Sequence, residues 1–514
     1  MLLIVAGLAS GSFLLSQSVY ATDSYLGMLM KYPWYELMLS ENGNRNFFAS
    51  LFSALPGKEP IDEKGEKAQT IPVLVYHGIT SEPDGSNVTG GRFRSHMAVL
   101  KKAGWETVSL EEFRAFMKGE QDLPEKSFLL TFDDGRKDSF YPVDPILRAL
   151  DYEAVMFVIT SQSLGENGKA SHFYLTEKEL QFMQGTGRWN LESHGKLAHE
   201  LYPVGPNGQE GHFYSNLLWF EDKQRQETIE EFRKRIYADL ESSKKELEES
   251  LGTSAVTVAF PFGDFGQNLF FDPSLKSIRD ILLQGAKEQY SYGFYQWWEG
   301  EGFTQNHPSP ETFLIKRIEP EADWSGEELL AVLENGRAKT LPYYDALSEN
   351  RGWLSTWGSF ELGGVEGLVL RANEDEAGAS ALLDGSGAWT DYEIQAVVES
   401  ESQTGVFIWV RFQDVDNNAA CNFGKDFVHI EQTVDGEKRV IQGIRGISPI
   451  FKGAFQVGAR VQGRNVECLV NNEIVVRTQF LDPVLGRGGV GFKMWDEEVG
   501  RATLAIKQVV VYKP

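Results

Sequence analysis

Cysteine is nearly absent: Cys421 and Cys468 are the only two in 514 residues. Two thiols exclude a disulfide-dense scaffold and a cysteine-only zinc cluster. Any metal site must therefore draw on Asp, Glu or His, and the chain has only eight histidines. Positive charge is also short, since Lys+Arg 49 against Asp+Glu 74 leaves a formal charge of −25. That deficit argues against a nucleic-acid partner, because holding phosphates requires clustered Lys and Arg. It is compatible with a neutral or cationic one. Hydrophobic residues at 42% and aromatics at 12% suffice for packed cores and exclude global disorder. At roughly 150 residues per domain, the length suggests about three units.

A long hydrophobic run occurs only at the start. Met1 to Thr22 carries no charged side chain, and Leu2 to Leu15 is mostly apolar. Val19-Tyr20-Ala21 has the small-x-small shape of a signal-peptidase site, with cleavage after Ala21. A run of about 20 residues also suffices to cross a bilayer as an anchor. The protein is expected to be exported: secreted, periplasmic, or tethered to the outer side of a membrane by residues 1–22. Residues 23–70 mix aromatic patches with a charged linker. From Ile71, strand-like runs alternate with helical segments, the pattern of parallel βαβ units. The runs are Pro72–Tyr76, Phe128–Phe132, Ala154–Ile159, Trp189–Ser193 and Ala255–Phe260. A long helix is expected between the last two, opened by the capping box Thr228/Glu231 and stopped by Gly252. Past residue 350 the texture becomes short alternating strands parted by Gly, Asn and Asp turns, which predicts an antiparallel β-sandwich over 353–514. The preceding domain is expected over 71–345.

Four of the strand-like runs end in reactive residues. Phe128 to Phe132 leads into Asp133-Asp134-Gly135, two adjacent carboxylates where an α/β barrel opens its mouth. Such a pair repels itself and calls for a cation or a shared proton. Asp134 as a plain turn residue is the bland alternative. Trp189 to Ser193 leads into His194 and His199, spaced too widely for one helix face but able to converge from a loop. Two histidines and one Asp make the three-ligand set of a catalytic zinc site with an open position. Ala255 to Phe260 ends in Pro261-Phe262-Gly263, a tight turn that exposes backbone N–H groups and an aromatic wall. Pro72 to Tyr76 ends in His77-Gly78, a structural histidine or a proton donor at the same rim.

These segments resemble the polysaccharide deacetylases of the NodB-homology type, carbohydrate esterase family 4. Thr131-Phe132-Asp133-Asp134-Gly135 is similar to that family's first motif. His194-Gly195-x-x-x-His199 is a longer form of its second, as in the poly-N-acetylglucosamine deacetylase branch. The resemblance spans roughly residues 71 to 340 and implies a distorted (β/α)7 barrel. It implies metal-dependent removal of acetyl from an acetylated polysaccharide, with Asp134, His194 and His199 on a divalent metal, Zn2+ being the first choice. Asp133 would be the general base, His77 the acid that protonates the leaving amine, and Pro261, Phe262 and Gly263 the substrate-binding turn. The family's late Leu-x-His motif has no counterpart; Phe313 to Ile318 is where it would stand. The arginine that precedes the family's Pro-aromatic turn is missing as well.

Trp353 to Pro514 resembles a concanavalin/laminin-G-like jelly roll, for which glycan binding or a structural role is expected. Asp414-x-Asp416-x-Asn418 starts like a calcium loop but continues with Ala419 and Lys425, and is expected to be a turn. Two alternatives stand beside the N-deacetylase: an O-acetyl esterase on a plant or bacterial glycan, and an inactive glycan-binding or adhesion protein.

Overall fold

The computed structural model describes residues 66–164, 171–267, 275–364, 366–400, 405–446 and 453–514. The expected export segment and most of the 23–70 segment lie outside the described residues. The chain divides into two compact units. One comprises Val73–Gln296 and Pro308–Leu330, the other Ala68–Pro72, Trp297–His307 and Ala331–Pro514.

The first unit is built on seven strands, β1 (Val73–Tyr76), β2 (Ser127–Phe132), β3 (Ala154–Val158), β4 (Trp189–Ser193), β5 (Thr257–Ala259), β6 (Tyr292–Gln296) and β7 (Leu314–Arg317). They pair in parallel in chain order. The residue after β7 closes the ring: Ile318 bridges to Leu74, with Val75 N–H donating to Ile318 O at 2.9 Å and Ile318 N–H to Val73 O at 2.8 Å. The barrel is distorted, since β4 and β5 share only the pair Ser193 and Val258. Strands β1, β2 and β3 are buried throughout, as expected when helices cover a parallel sheet. Each large apolar side chain fully buried this way contributes about 1.5–3 kcal/mol.

The helix between β4 and β5, α1 (Ile229–Leu251), begins where the capping box predicts. Thr228 Oγ1 accepts from Glu231 N–H at 3.2 Å while Glu231 accepts from Thr228 N–H at 2.9 Å. Gly252 ends it in a left-handed conformation, φ 63°. Its buried stripe of Phe232, Ile236, Leu240, Leu247 and Leu251 also contains Asp239 and Ser243, and both polar groups reach β4 or the loop that follows it.

The second unit contains two antiparallel sheets. One runs Ser359–Gly363, Gly367–Arg371, Thr503–Tyr512, Tyr392–Ser400, Phe455–Gln462, Asn465–Val470, Glu473–Thr478. The other runs Trp353–Trp357, Gly378–Leu383, Gly489–Trp495, Val406–Asp414, Asn417–Phe423, Phe427–Val434, Glu437–Arg445. Their inner faces interdigitate through residues such as Ile394, Val398, Ile408, Val410, Phe492 and Ile506. Cys421, on the second sheet, and Cys468, on the first, form a buried disulfide that ties the two sheets together. The Asp414 run makes a hairpin turn, in which Asp414 Oδ1 accepts from Asp416 N–H at 2.9 Å and from Asn417 Nδ2 at 3.1 Å.

Candidate active site

All four reactive segments emerge at the C-terminal ends of β1, β2, β4 and β5, on one face of the barrel. Asp134, directly after β2, sits in the left-handed region at φ 72°, followed by Gly135 at φ 70°. For a residue other than glycine that conformation costs on the order of 1–3 kcal/mol and is retained where the surroundings fix it. Here the turn swings the Asp134 carboxylate toward the two histidines.

Asp134, His194 and His199 offer ligand atoms that all lie within 4.8 Å of one another. Asp134 Oδ1 is 3.5 Å from His194 Nε2 and 3.0 Å from His199 Nε2. Ligand bonds of about 2.0–2.1 Å in a tetrahedron put donor atoms about 3.4 Å apart, so the set fits a metal of zinc's size. His194 Nδ1 donates to Ala259 O at 2.9 Å, because a carbonyl only accepts. That leaves the Nε2 lone pair facing Asp134, the arrangement of a histidine braced for a metal. Asp134 Oδ1 and His194 Nε2 are both buried without a hydrogen-bond partner, and a cation between them would satisfy both. Burial alone would raise the pKa of Asp134, but the two imidazoles hold it well below the ordinary carboxylate range.

Asp133 is fully buried and gripped from below. Arg317, at the end of β7, donates to its two oxygens at 2.6 and 2.7 Å, a bidentate pair of the strong kind. Burial pushes the Asp133 pKa up, yet the charge and hydrogen bonds of Arg317 bring it below its ordinary value, so the carboxylate stays ionised. Its Oδ2 lies 3.9 Å from His194 Nε2 and 3.9 Å from His77 Nε2.

His77 follows β1. Its Nδ1 donates to Glu319 Oε1 at 2.7 Å, and Glu319 is held in turn by Gln296 Nε2 at 2.8 Å. Burial disfavours the imidazolium, but the hydrogen bond to Glu319 and the charges of Asp133, Glu319 and Asp134 outweigh it and raise the pKa to about 9. Gly78 beside it leaves room for the Arg136 guanidinium, which a Cβ there would approach to 2.1 Å and displace.

Gly195 occupies the place where the resembled family carries a hydroxyl residue. Its φ is 74°, and a Cβ would fall 2.6 Å from the Tyr214 hydroxyl. Ser193 Oγ instead accepts from Gly195 N–H at 3.1 Å. The ligand loop is braced from α1: Asp239 accepts from Lys196 N–H at 3.1 Å, Leu197 N–H at 2.9 Å and Tyr214 Oη at 2.7 Å.

The insertion after His199 forms two short hairpins, Leu201–Pro203 with Glu210–His212 and Trp219–Phe220 with Arg225–Gln226. Phe213 and Tyr214 pack inward, while His212 reaches the rim. Phe262 is left-handed at φ 60°, 41% exposed, and lies between two imidazoles. Its ring is 4.9 Å from that of His199 and 4.3 Å from that of His212. Pro261 and Gly263 flank it, both buried, and a Cβ on Gly263 would press on Gln296 at 2.9 Å.

The structure thus places His77, Asp133, Asp134, His194, His199 and the Pro261–Gly263 turn on one face of the barrel. Arg317, Glu319 and Asp239 were not singled out as site residues, whereas His212 belongs to the Tyr202–Asp222 insertion expected to form a wall or lid. A fully buried arginine at a strand end marks Arg317, but only once the strand is known to be buried.

A parallel seven-stranded barrel with a two-histidine, one-carboxylate cluster at its mouth, beside a second carboxylate and a third histidine, is the class defined by this geometry. Residues 120–274, which contain barrel strands β2 to β5, match the family model for polysaccharide deacetylase. The match includes Asp133, Asp134, His194, His199 and the Pro261 turn but not His77 or Arg317. Among relatives, a Bacillus subtilis protein named as a candidate polysaccharide deacetylase is 29% identical over 165 residues, 32% of this chain and 56% of its own. A poly-β-1,6-N-acetyl-D-glucosamine N-deacetylase of Escherichia coli K12 is 26% identical over 187 residues, 35% of this chain and 28% of its own. This chain therefore spans about half or less of the length of those two relatives. A solved de-N-acetylase from Aggregatibacter actinomycetemcomitans aligns with a TM-score of 0.43 at 20% identity, covering 51% of this chain and 98% of the other. No helix among the described residues is long and apolar enough to cross a membrane.

Proposed function

We propose that the protein is an exported, metal-dependent N-deacetylase that releases acetate from an N-acetylglucosamine-containing polysaccharide. The reading is carried by two buried atoms without hydrogen-bond partners, Asp134 Oδ1 and His194 Nε2, beside an ionised Asp133. Asp134, His194 and His199 would hold the metal. When bound, a divalent ion, Zn2+ by first choice, lowers the pKa of water and polarises the acetamide carbonyl.

This chain's own residues do the rest. Asp133, its carboxylate fixed by Arg317, takes the proton from water as the oxygen attacks the carbonyl carbon. The backbone N–H of Phe262 is the candidate donor to the oxyanion that develops. His77 delivers its Nε2 proton to the amide nitrogen as the C–N bond breaks, leaving acetate and a free amine. Glu319 keeps the other ring nitrogen occupied and the imidazole charged. A held proton of this kind matters for an amine leaving group and would be superfluous for an ester, which favours the amide over the O-acetyl reading. The buried disulfide supports export, since such bonds persist in oxidising compartments. The sandwich is read as a glycan-binding or structural module.

The test is acetate release from N-acetylglucosamine oligomers by the metal-loaded protein and its Asp133→Asn variant. Release by the first and loss in the second is the expected outcome. No release from a protein with metal bound stoichiometrically by elemental analysis would overturn the reading. Chelation should abolish release, and Zn2+ should restore it.

A further inference from the structure

We propose that His212, backed by Asp264 and stacked on Phe262, forms a separate subsite that holds the sugar residue next to the reacting one by accepting a hydrogen bond from a ring hydroxyl. The inference rests on the N-deacetylase reading and adds to it a determinant of chain-length preference.

The position is built rather than incidental. Gly211 lets the hairpin pass close to its neighbours, since a Cβ there would meet Asn216 at 2.8 Å and Val204 at 2.9 Å. Asn216 Nδ2 donates to His212 O at 3.1 Å and fixes the backbone. Arg235, on α1, donates to Phe213 O at 2.6 Å, to Asn216 O at 3.1 Å and to both oxygens of Glu227, which anchors the hairpins to the barrel's long helix.

The imidazole itself is oriented by chemistry. His212 Nδ1 is 2.6 Å from Asp264 Oδ2, and because a carboxylate only accepts, Nδ1 carries the hydrogen. In the neutral ring, Nε2 is then an acceptor, and among the described residues nothing donates to it. Asp264 is fixed too, with Ser215 Oγ donating to Oδ2 and Gly266 N–H to Oδ1 at 2.9 Å. The His212 ring lies parallel to Phe262, with 7° between the planes, and its side chain is 34% exposed.

The Phe262 ring thus stacks both on His199, a candidate metal ligand, and on His212, which links His212 to the candidate metal site through one aromatic side chain. With its acetamide at the cluster, a polysaccharide would place its next residue within reach of Phe262 and His212. There the exposed part of Phe262 offers an apolar wall and His212 Nε2 a fixed acceptor. Sugar rings are bound by this combination because their faces are apolar and their edges carry hydroxyl donors.

The test uses the full metal-loaded chain with N-acetylglucosamine and its tetrasaccharide, comparing wild type with His212→Phe and His212→Ala. His212→Phe keeps a ring on Phe262 but removes the acceptor, so it separates hydrogen bonding from packing. One hydrogen bond of ordinary net strength changes affinity by up to about tenfold. The tetrasaccharide-to-monosaccharide ratio of kcat/KM is expected to fall about tenfold in both variants, the change appearing mostly in KM. Equal loss on both substrates, or no loss in the ratio, would overturn the subsite. Calorimetric binding of the tetrasaccharide is measured on the same proteins. If no oligomer releases acetate, the N-deacetylase reading fails, and the subsite stands only if wild type still binds about tenfold tighter than His212→Phe. Equal binding, or none, overturns it.

Discussion

Arg317 in the barrel and Arg411 in the sandwich are at most 1% exposed, yet the groups that answer their charge differ in kind. Arg317 meets one buried carboxylate, Asp133, through both of its terminal nitrogens. Arg411 donates mainly to carbonyls, those of Leu485 at 3.2 Å, of Gly486, and of Gly463 at 3.2 Å, and touches the half-exposed Asp391 only at 3.3 Å. Burial lowers the Arg411 pKa, with the charges of Tyr392 and Asp391 opposing. The difference separates two uses of a hidden guanidinium. Arg411 pins loops together; Arg317 fixes the charge and aim of an anion whose Oδ2 lies 3.9 Å from both His194 and His77.

The comparison can be broken at either end, and the largest effect is expected from Asp133→Asn. Acetate release should fall by about 10²–10⁴-fold, the usual worth of a positioned base, whereas Asp391→Asn should leave it unchanged. Next is Arg317→Met, which strands the Asp133 charge in a buried site. A loss of about 3–5 kcal/mol is expected on thermal or denaturant unfolding, together with weakened turnover, because removing one partner of a buried pair leaves the other uncompensated. A stable, fully active Arg317→Met would remove the distinction drawn above.

His77→Ala comes third, with release from an N-acetyl substrate falling about 10²-fold and turnover of an activated acetyl ester falling far less. The same residue sets a pH limb. Its pKa is raised from 6.5 to about 9, so the proton is in place at neutral pH and is lost as pH climbs through about 9. Its contribution to stability has the same sign, fully present below 6.5 and lost through about 9. kcat/KM should therefore decline above about pH 9, and Glu319→Gln should move that limb to lower pH. An unmoved limb would assign it to another group. The smallest effect belongs to Arg411→Met: roughly 1–3 kcal/mol of stability for the carbonyls left unsatisfied, with acetate release per folded molecule unchanged.

How far the sequence carries depends on whether the chemistry is contiguous. Asp133 and Asp134 are adjacent and follow a buried strand; His194 and His199 share one loop, so a local pattern reveals them. Five of the seven barrel strands are legible for the same reason. Tyr292–Gln296 is not, because Tyr-Gly-Phe-Tyr-Gln carries a glycine inside and runs into Trp297-Trp298 with no turn residue directly after it. That glycine has a packing reason: a Cβ on Gly293 would collide with the Phe260 ring at 2.6 Å. Leu314–Arg317 reads as a short surface strand with a charged C-terminal half, and its arginine is buried beside a carboxylate 184 residues earlier inside the barrel. Asp239 likewise sits on an otherwise ordinary amphipathic stripe of α1, and nothing local distinguishes it from a solvent-facing acid.

The seam where the barrel closes has a consequence for the order of events during folding. Asp134 follows the second barrel strand, and His194 and His199 follow the fourth. His77 gains Glu319, and Asp133 gains Arg317, only when the last strand docks beside the first, across separations of 242 and 184 residues. Contacts of such long range form late, because the entropy of closing the loop must be met first. A nascent chain would thus possess the residues of its candidate metal cluster before Asp133 was clamped by Arg317 or His77 braced by Glu319. Hydrolytic competence would arrive as the final act of barrel closure, so a chain stalled short of it would sequester metal without cutting anything.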